Sequence, residues 1–274
     1  MRRSAIRLFL AVRDLLAATR WWILASPSAS GAANMAVDHA LLRHAQRTGE
    51  GVLRTYAWAP SALSFGRNQR AAGLFSAAAA AARGIAVVRR PTGGRAILHD
   101  RECTFSLAAP VSASTPVARV SVATAGWLRD ALALLGADTS LAARTMRHAP
   151  PGAAPCFADP ARGELVWRER KIAGLAQWRD GGALLQQGSI LVDDDQTALA
   201  GLSLEPLPLV PPPATLREAT GRAPDAAEFT AALARTFSDL VGQPLHPLDP
   251  ADSAAQPGPD LVRLYLDDHW TWRR

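Results

Sequence analysis

Lysine is all but missing from this 274-residue chain. Of 30 basic side chains only Lys171 is a lysine, and the rest are arginines. Surface cations exchange between the two types with little consequence, so one retained lysine marks a position where a guanidinium does not serve. Arginine stays charged and planar, whereas lysine is a compact amine that can change protonation state. Cysteine is scarce too. Cys103 and Cys156 cannot make a disulfide framework for a chain of this length. No Cys-x-x-Cys or His/Cys cluster has the spacing of a zinc site, so no metal is expected. Long apolar runs are absent as well. The N-terminal MRRSAIRLFLAVRDLLAATR is interrupted by Arg7, Arg13 and Asp14, too soon for a membrane span. Residues 1–20 read as a short amphipathic extension or as the result of an upstream start codon, and the protein reads as cytoplasmic, with no membrane partner.

Hydrophobic residues at 49% and charged residues at 20% describe a globular chain with a substantial core. The net charge of +6 is dispersed. Its densest clusters are the pairs Arg2-Arg3, Arg89-Arg90 and Arg273-Arg274, without interleaved aromatics, which argues against nucleic acid as a partner. A mild positive field suits an acidic protein partner instead.

The hydrophobic pattern predicts an apolar strand at the start of residues 21–33, then a Ser/Gly/Pro loop. A helix follows over MAVDHALLRHAQR, with Asn34 at its N-cap. VLRTYAWA and SALSFG read as a strand pair split by Pro60. An alanine helix from Ala77 to Arg83 ends at Gly84, and IAVVRR reads as a buried strand. ECTFSLAAP extends the sheet, and residues 116–136 form a helix. Residues 164–193 read as a β-meander turning at Arg-Glu and Asp-Gly-Gly, and PDAAEFTAALARTFSDLVG is a further helix. The expected fold is α+β: a single domain over residues 21–274 with a central mixed, largely antiparallel sheet flanked by helices.

Three segments carry chemistry. In PTGGRAILHD, Gly93 and Gly94 allow close backbone approach to a ligand. Arg89, Arg90 and Arg95 supply fixed donors around that turn, and His99 and Asp100 close the next strand. The turn does not match a phosphate-binding P-loop. Cys156 lies in PPGAAPCFADP, where a cysteine has no evident core role and a downstream cation favours its thiolate. Cys103, inside an apolar strand, reads as a small core residue. Lys171 stands 15 positions after Cys156, in RKIAGLAQWR, with Gly174, Gln177 and Arg179 on the same strand.

NMAVDHALL (34–42), LSFGRNQ (63–69), RRPTGGRAILHD (89–100), CFADPARGELVWRERKIAGLAQWR (156–179) and LLQQGSILVD (184–193) occur in this order. Together they resemble the biotin/lipoate protein ligase catalytic-domain family, in its lipoate branch. Within that branch the chain is most similar to the cysteine-dependent octanoyltransferases that act on acyl carrier protein. The resemblance implies an acyl thioester on Cys156, assisted by Lys171 either as a cation or as an amine base. It also implies an acyl site drawn from Arg90, Thr92, Gly93, Gly94, Arg95, Ile97, His99, Asp100, Gly174, Gln177 and Gly188. The donor would be acyl carrier protein. The acceptors would be lipoyl domains of 2-oxoacid dehydrogenases or the glycine cleavage H protein, and no cofactor would be needed. The Cys-Phe pair, the Gly-Gly-Arg turn and the short stretch after residues 225–242 favour this branch. Gly66-Arg67-Asn68-Gln69 is instead ligase-like, and Gln187 stands where both branches commonly carry histidine. The alternative is an ATP- and Mg²⁺-dependent lipoate ligase, in which Cys156 would be dispensable.

Overall fold

A computed structural model describes residues 16–145, 155–158 and 160–274. Most of the N-terminal extension and of the Pro/Ala-rich connection before Cys156 lies outside these residues. In chain order the elements are β1 (Trp21–Ala25), α1 (Gly31–Thr48), β2 (Gly51–Tyr56), β3 (Ala62–Phe65), α2 (Ala77–Ala82), β4 (Ala86–Arg89), β5 (Ile97–His99) and β6 (Glu102–Pro110). There follow α3 (Val117–Leu134), β7 (Ser140–Leu141), β8 (Leu165–Trp167), β9 (Arg170–Lys171), β10 (Ala173–Asp180) and β11 (Ala183–Leu191). After a 3₁₀ turn at Gln196–Gly201 come α4 (Leu216–Thr220), α5 (Ala226–Val241), β12 (Leu245–Pro247), α6 (Pro259–Leu266) and α7 (Asp268–Thr271).

Six strands form the main sheet in the order β10-β11-β6-β2-β1-β12. β10-β11, β11-β6 and β2-β6 pair antiparallel, while β1 runs parallel to both β2 and β12. Strand alternation assigns the faces. Along β6, Cys103, Phe105, Leu107 and Ala109 turn toward α3 and α5, into a core with Trp127, Leu128, Leu233 and Phe237. Trp127 anchors that layer by donating Nε1–H to Thr236 Oγ1 at 2.9 Å and packing edge-on to Phe105 and Phe237. Ala108, on the other face, packs with Leu41, Leu42, Val52 and Leu185 under α1.

The expected single sheet is in fact accompanied by two small ones. VLRTY and ALSF do not pair: β2 stays in the main sheet, and β3 is the centre of a separate sheet, β4-β3-β5. β5 and β6 likewise part company across the turn at Asp100-Arg101. The third sheet, β7-β8-β9, begins the expected meander, and Arg168 and Glu169 take positive φ at its turn (48° and 62°). α1 starts earlier than expected. Its cap is Ser30, which accepts the Ala33 N–H, so Asn34 lies inside the helix. There the Asn34 amide donates to the carbonyls of Ala29 and Ala57 and accepts from Arg54, tying the loop to the sheet. Among the described residues, no helix is long and apolar enough to cross a membrane.

Candidate active site

The pocket lies between the α1 face of the main sheet and the small sheet β4-β3-β5. Its walls include Met35, Tyr56, Trp58, Ile97, Cys156 and Gly174, and it opens in part to solvent. Pairing registers place Gly174, Ser189, Thr104 and Tyr56 in one row across four strands, all facing the same side. Gly174, Ser189 and Thr104 leave the space in that row, and the Tyr56 ring bounds it. Cys156 stands at one end, where a Cβ on Gly174 would lie 3.3 Å from Sγ and 3.5 Å from Ile97 Cδ1. Trp58 stands toward the other, held by its Nε1–H on Thr104 Oγ1 at 2.9 Å and by stacking on His99 at 3.9 Å between ring centroids.

Polar groups below the pocket satisfy one another, so a largely apolar surface is left for a ligand. Glu102 accepts from Thr104 Oγ1 at 2.5 Å and from Ser189 Oγ, and pairs with His99 Nδ1 at 2.7 Å. His99 Nε2 pairs with Ser64 Oγ, which accepts from Arg90 Nη1. The same Arg90 guanidinium donates to the carbonyls of Gly93 and Arg95 at 2.8 Å each, and so fixes the glycine turn. The next carbonyl along, that of Ala96, accepts the Cys156 N–H at 3.1 Å. Burial pulls the Arg90 guanidinium below its usual range, opposed by the Cys156 sulfur, Tyr56 and Glu102.

A second network anchors the turn from the far side. Thr92 Oγ1 donates to Gln187 Oε1 at 2.6 Å, and Gln187 Nε2 donates to Asp38 Oδ2 at 2.6 Å. Asp38 also accepts from Arg54, Ser106 and Tyr56. Burial, followed by the Asp38 charge, raises the Tyr56 hydroxyl well above its ordinary range, so it serves as a donor. Gln187 thus joins the glycine turn to the scaffold with one acceptor and one donor. That gives the position a defined hydrogen-bonding role without a histidine.

Lys171 is only 4% exposed. The hairpin register Val166↔Lys171 carries it beneath the nucleophile segment. Its Nζ donates to the Cys156 carbonyl at 2.9 Å and lies 2.9 and 2.8 Å from the two Glu164 oxygens. Both Glu164 oxygens thus hold the amine in place beside the Cys156 backbone. Glu164 Oε2 also accepts the Ala161 N–H at 2.8 Å, so one carboxylate ties the loop, the lysine and, through the lysine, the cysteine backbone.

Of the expected site residues, Arg90, Ile97, His99, Gly174 and Gly188 line the pocket with Cys156. Thr92, Gly93, Gly94 and Arg95 form the turn at its rim, with Gly94 at φ 96°. Three stand outside the lining: Lys171, against the Cys156 backbone, Asp100 and Gln177. Asp100 is exposed on the turn after β5 and accepts from Ser61 Oγ at 2.8 Å. Gln177 turns its amide toward α3, between Val117 and Ser121, because Gly174 and Ala176 take the pocket face of β10. Only its backbone serves the site, accepting the Gly93 N–H at 3.3 Å. Sequence reasoning missed Glu164, Glu102, Ser64 and Trp58. The polar/apolar alternation of ECTFS carried a signal for Glu102 alone. Cys103 is buried, and its thiol is pushed up to about 12 by burial and then by Glu102. Among the described residues, no group of three or more His, Cys, Asp or Glu side chains is placed to hold a metal ion.

Comparison with known proteins matches residues 30–238 to the family model of the lipoyl protein ligase A/B catalytic domain. An octanoyltransferase LipM from Kyrpidia tusciae is 36% identical over 93% of this chain and 99% of its own length. The octanoyltransferase LipM of Bacillus subtilis is 38% identical over 68% of this chain and 70% of its own. Among solved structures, lipoate-protein ligase A bound with ATP superimposes with a TM-score of 0.73 at 21% identity, covering 93% of this chain and 98% of that one. A bi-partite lipoate protein ligase from Thermoplasma acidophilum, determined with its E2 lipoyl domain, gives 0.68 at 20% identity over 93% and 96%. At these identities the two structures speak to the fold alone.

Proposed function

This chain belongs to the lipoyl protein ligase A/B catalytic-domain family, and from that premise we propose that it is an octanoyltransferase of protein lipoylation, working through a thioester on Cys156. The observation that carries the reading is the placement of Cys156 Sγ at the end of an apolar pocket, with Lys171 bound to the same residue's carbonyl. The curated relatives named octanoyltransferase, four of them matched over nearly their whole length, support it.

The reaction divides into two displacements. The Cys156 thiolate attacks the thioester carbonyl of the donor, for which octanoyl-acyl carrier protein is the proposed species. The tetrahedral oxyanion collapses, the carrier thiol leaves and takes up a proton, and the octanoyl group remains on Sγ. The neutral ε-amine of a lipoyl-domain lysine then attacks the new thioester and loses a proton. An amide forms and Cys156 returns as thiolate. A thiol suits both halves, being a strong nucleophile and a good leaving group. Lipoyl domains are the acceptor class, with those of 2-oxoacid dehydrogenases or the glycine cleavage H protein as proposed partners, and the setting is proposed as cytoplasmic.

Each group has a task in this scheme. The pocket holds the acyl chain out of water, and apolar burial is worth about 0.8 kcal/mol per methylene. The glycine turn, braced by Arg90 and Thr92, brings backbone close to the carbonyl. Lys171, held against the Cys156 carbonyl and Glu164, is assigned the support of the reacting centre, as a cation toward the oxyanion or as an amine base toward the incoming lysine.

The test is transfer to a purified lipoyl domain, read by its mass. Octanoyl-acyl carrier protein without ATP should octanoylate the domain with wild-type enzyme and not with Cys156→Ser. Transfer that persists in Cys156→Ser and needs ATP with free lipoate would overturn the reading in favour of a ligase.

A further inference from the structure

Four arginines crowd the outer rim of the glycine turn, and among the described residues no side-chain carboxylate bridges them. Arg67 donates its backbone N–H to the Thr92 carbonyl at 2.7 Å, while its guanidinium lies 4.5 Å from the Trp178 ring and 5.5 Å from that of Trp270. The Arg273 guanidinium lies 4.0 Å from the Trp270 ring and donates to the Arg67 carbonyl at 2.6 Å. The Arg274 carbonyl accepts the N–H groups of Ala71 and Ala72, which brings Arg274 against the stretch that carries Arg70. Arg89 lies buried below. It donates to the carbonyls of Gly66, Gln69, Trp270 and Thr271, and among the described residues its Nη2 has no hydrogen-bond partner.

Elsewhere, exposed arginines are often paired: Arg43 with Asp260, Arg101 with Asp193 and Asp195, Arg222 with Glu228. Among the described residues, no side-chain carboxylate bridges Arg67, Arg70, Arg273 or Arg274. The mutual repulsion is felt. Arg89 is pulled down to about 10 by burial and then by Arg273, Arg274 and Arg90. Arg273 is held below its usual range by burial, then by Arg67 and Arg274. A cluster of this kind is a standing cost to the folded chain, and an anion placed on it relieves that cost.

Its distance from the thiol indicates the kind of anion. Along one face of β10, Gly174 abuts Cys156 Sγ, Ala176 lines the pocket and Trp178 underlies Arg67. Four residues of strand span about 13 Å. An acceptor lysine brings its domain to the thiol on a four-carbon stem and carries no phosphate. A carrier protein whose thioester hangs from a long phosphate-linked arm places its phosphodiester and its own acidic surface well back from the reacting carbonyl.

We propose that Arg67, Arg70, Arg273 and Arg274 form the docking surface for the acyl donor, an acidic carrier protein, with its phosphodiester held by the guanidinium groups. This rests on the reading of the protein as an acyltransferase fed by such a carrier. Guanidinium forks suit phosphate, and the aromatic rings of Trp178 and Trp270 hold the Arg67 side chain in place.

The experiment compares two donors for acylation of Cys156, followed by intact mass. One is octanoyl-acyl carrier protein and the other octanoyl-N-acetylcysteamine, which has neither phosphate nor protein. Arg70→Glu combined with Arg274→Glu should raise half-saturation for the carrier about tenfold or more and leave the rate with the small thioester unchanged. In wild type, added salt should raise half-saturation for the carrier only. Unchanged carrier kinetics in the variant, or equal losses with both donors, would overturn the docking surface. A rise confined to half-saturation for the lipoyl domain would assign the surface to the acceptor and overturn it as well. If wild type is acylated by neither donor, the acyltransferase reading itself fails, which is a separate outcome.

Discussion

Replacing Lys171 by arginine keeps the charge and should still disable the protein. The ammonium occupies a site that is 4% exposed, wedged between the Cys156 carbonyl at 2.9 Å and the two Glu164 oxygens at 2.9 and 2.8 Å. A guanidinium is larger and planar, and its fork would pair with the Glu164 carboxylate in a different direction from the Cys156 carbonyl. Overpacking such a site costs about 1–3 kcal/mol. Lys171→Met removes the charge instead. A charge-assisted hydrogen bond is worth about 1.5–3 kcal/mol, and Glu164 can recover part of that from water, so a net loss of about 2 kcal/mol is expected. For a chain of this size that corresponds to a fall in Tm of roughly 4–8 °C. Both variants should remain folded at 25 °C. Their single-turnover acylation of Cys156 should nevertheless fall about 10²–10³-fold, the usual effect of losing one oxyanion donor. Quenched-flow intact mass gives the rate, and a thermal melt gives the stability. If Lys171→Arg acylates within tenfold of wild type, the lysine-specific role is refuted.

Three other perturbations probe the same geometry. Trp58→Val removes the wall opposite Cys156 and should shift preference toward ten-carbon donors about tenfold, since two methylenes contribute about 0.8 kcal/mol each where they find room; competition between acyl thioesters reads this, and an unchanged preference would place the end wall elsewhere. Gly174→Ala sets a methyl 3.3 Å from Sγ and should slow acylation about tenfold or more with little loss of Tm, whereas a wild-type rate would mean that the thiol does not react from this position. His39 is lowered to about 4, first by burial and then by Arg43 and Arg67 against Asp180 and Asp260. Between pH 6.5 and 4 the unfolded chain therefore binds a proton that the folded chain refuses, so stability falls as pH drops through that window and the loss levels off below it. After discounting for its partial exposure, about 1–2 kcal/mol is at stake, and urea melts of His39→Gln should show a shallower loss than wild type over that window.

Much of the site was legible because chemistry and periodicity coincided. ECTFSLAAP alternates, and β6 matches it residue for residue, its polar members facing the pocket. Lys171 and Cys156 stood out by rarity and context, and the fold brings them together. What failed depended on pairings between distant segments. VLRTY and ALSF look like partners, yet β2 pairs with β1 and β6, so β3 is left to β4 and β5. Asn34 has a good cap residue type, but Ser30 takes that place and the Asn34 amide is used by Ala29, Ala57 and Arg54. The resemblance implied a site role for Gln177, and one residue of strand phase turns its side chain away. Glu164 reaches Lys171 only across the β8–β9 hairpin, a contact set by register.

The most direct test of the central claim is the mass of the enzyme itself after exposure to octanoyl-acyl carrier protein with no acceptor present. One octanoyl group per chain is expected, on the peptide containing Cys156, absent from Cys156→Ser and discharged when a lipoyl domain is added. An unmodified enzyme that nonetheless octanoylates the lipoyl domain, or an octanoyl group on Cys103 or Lys171 that the domain discharges, would contradict it.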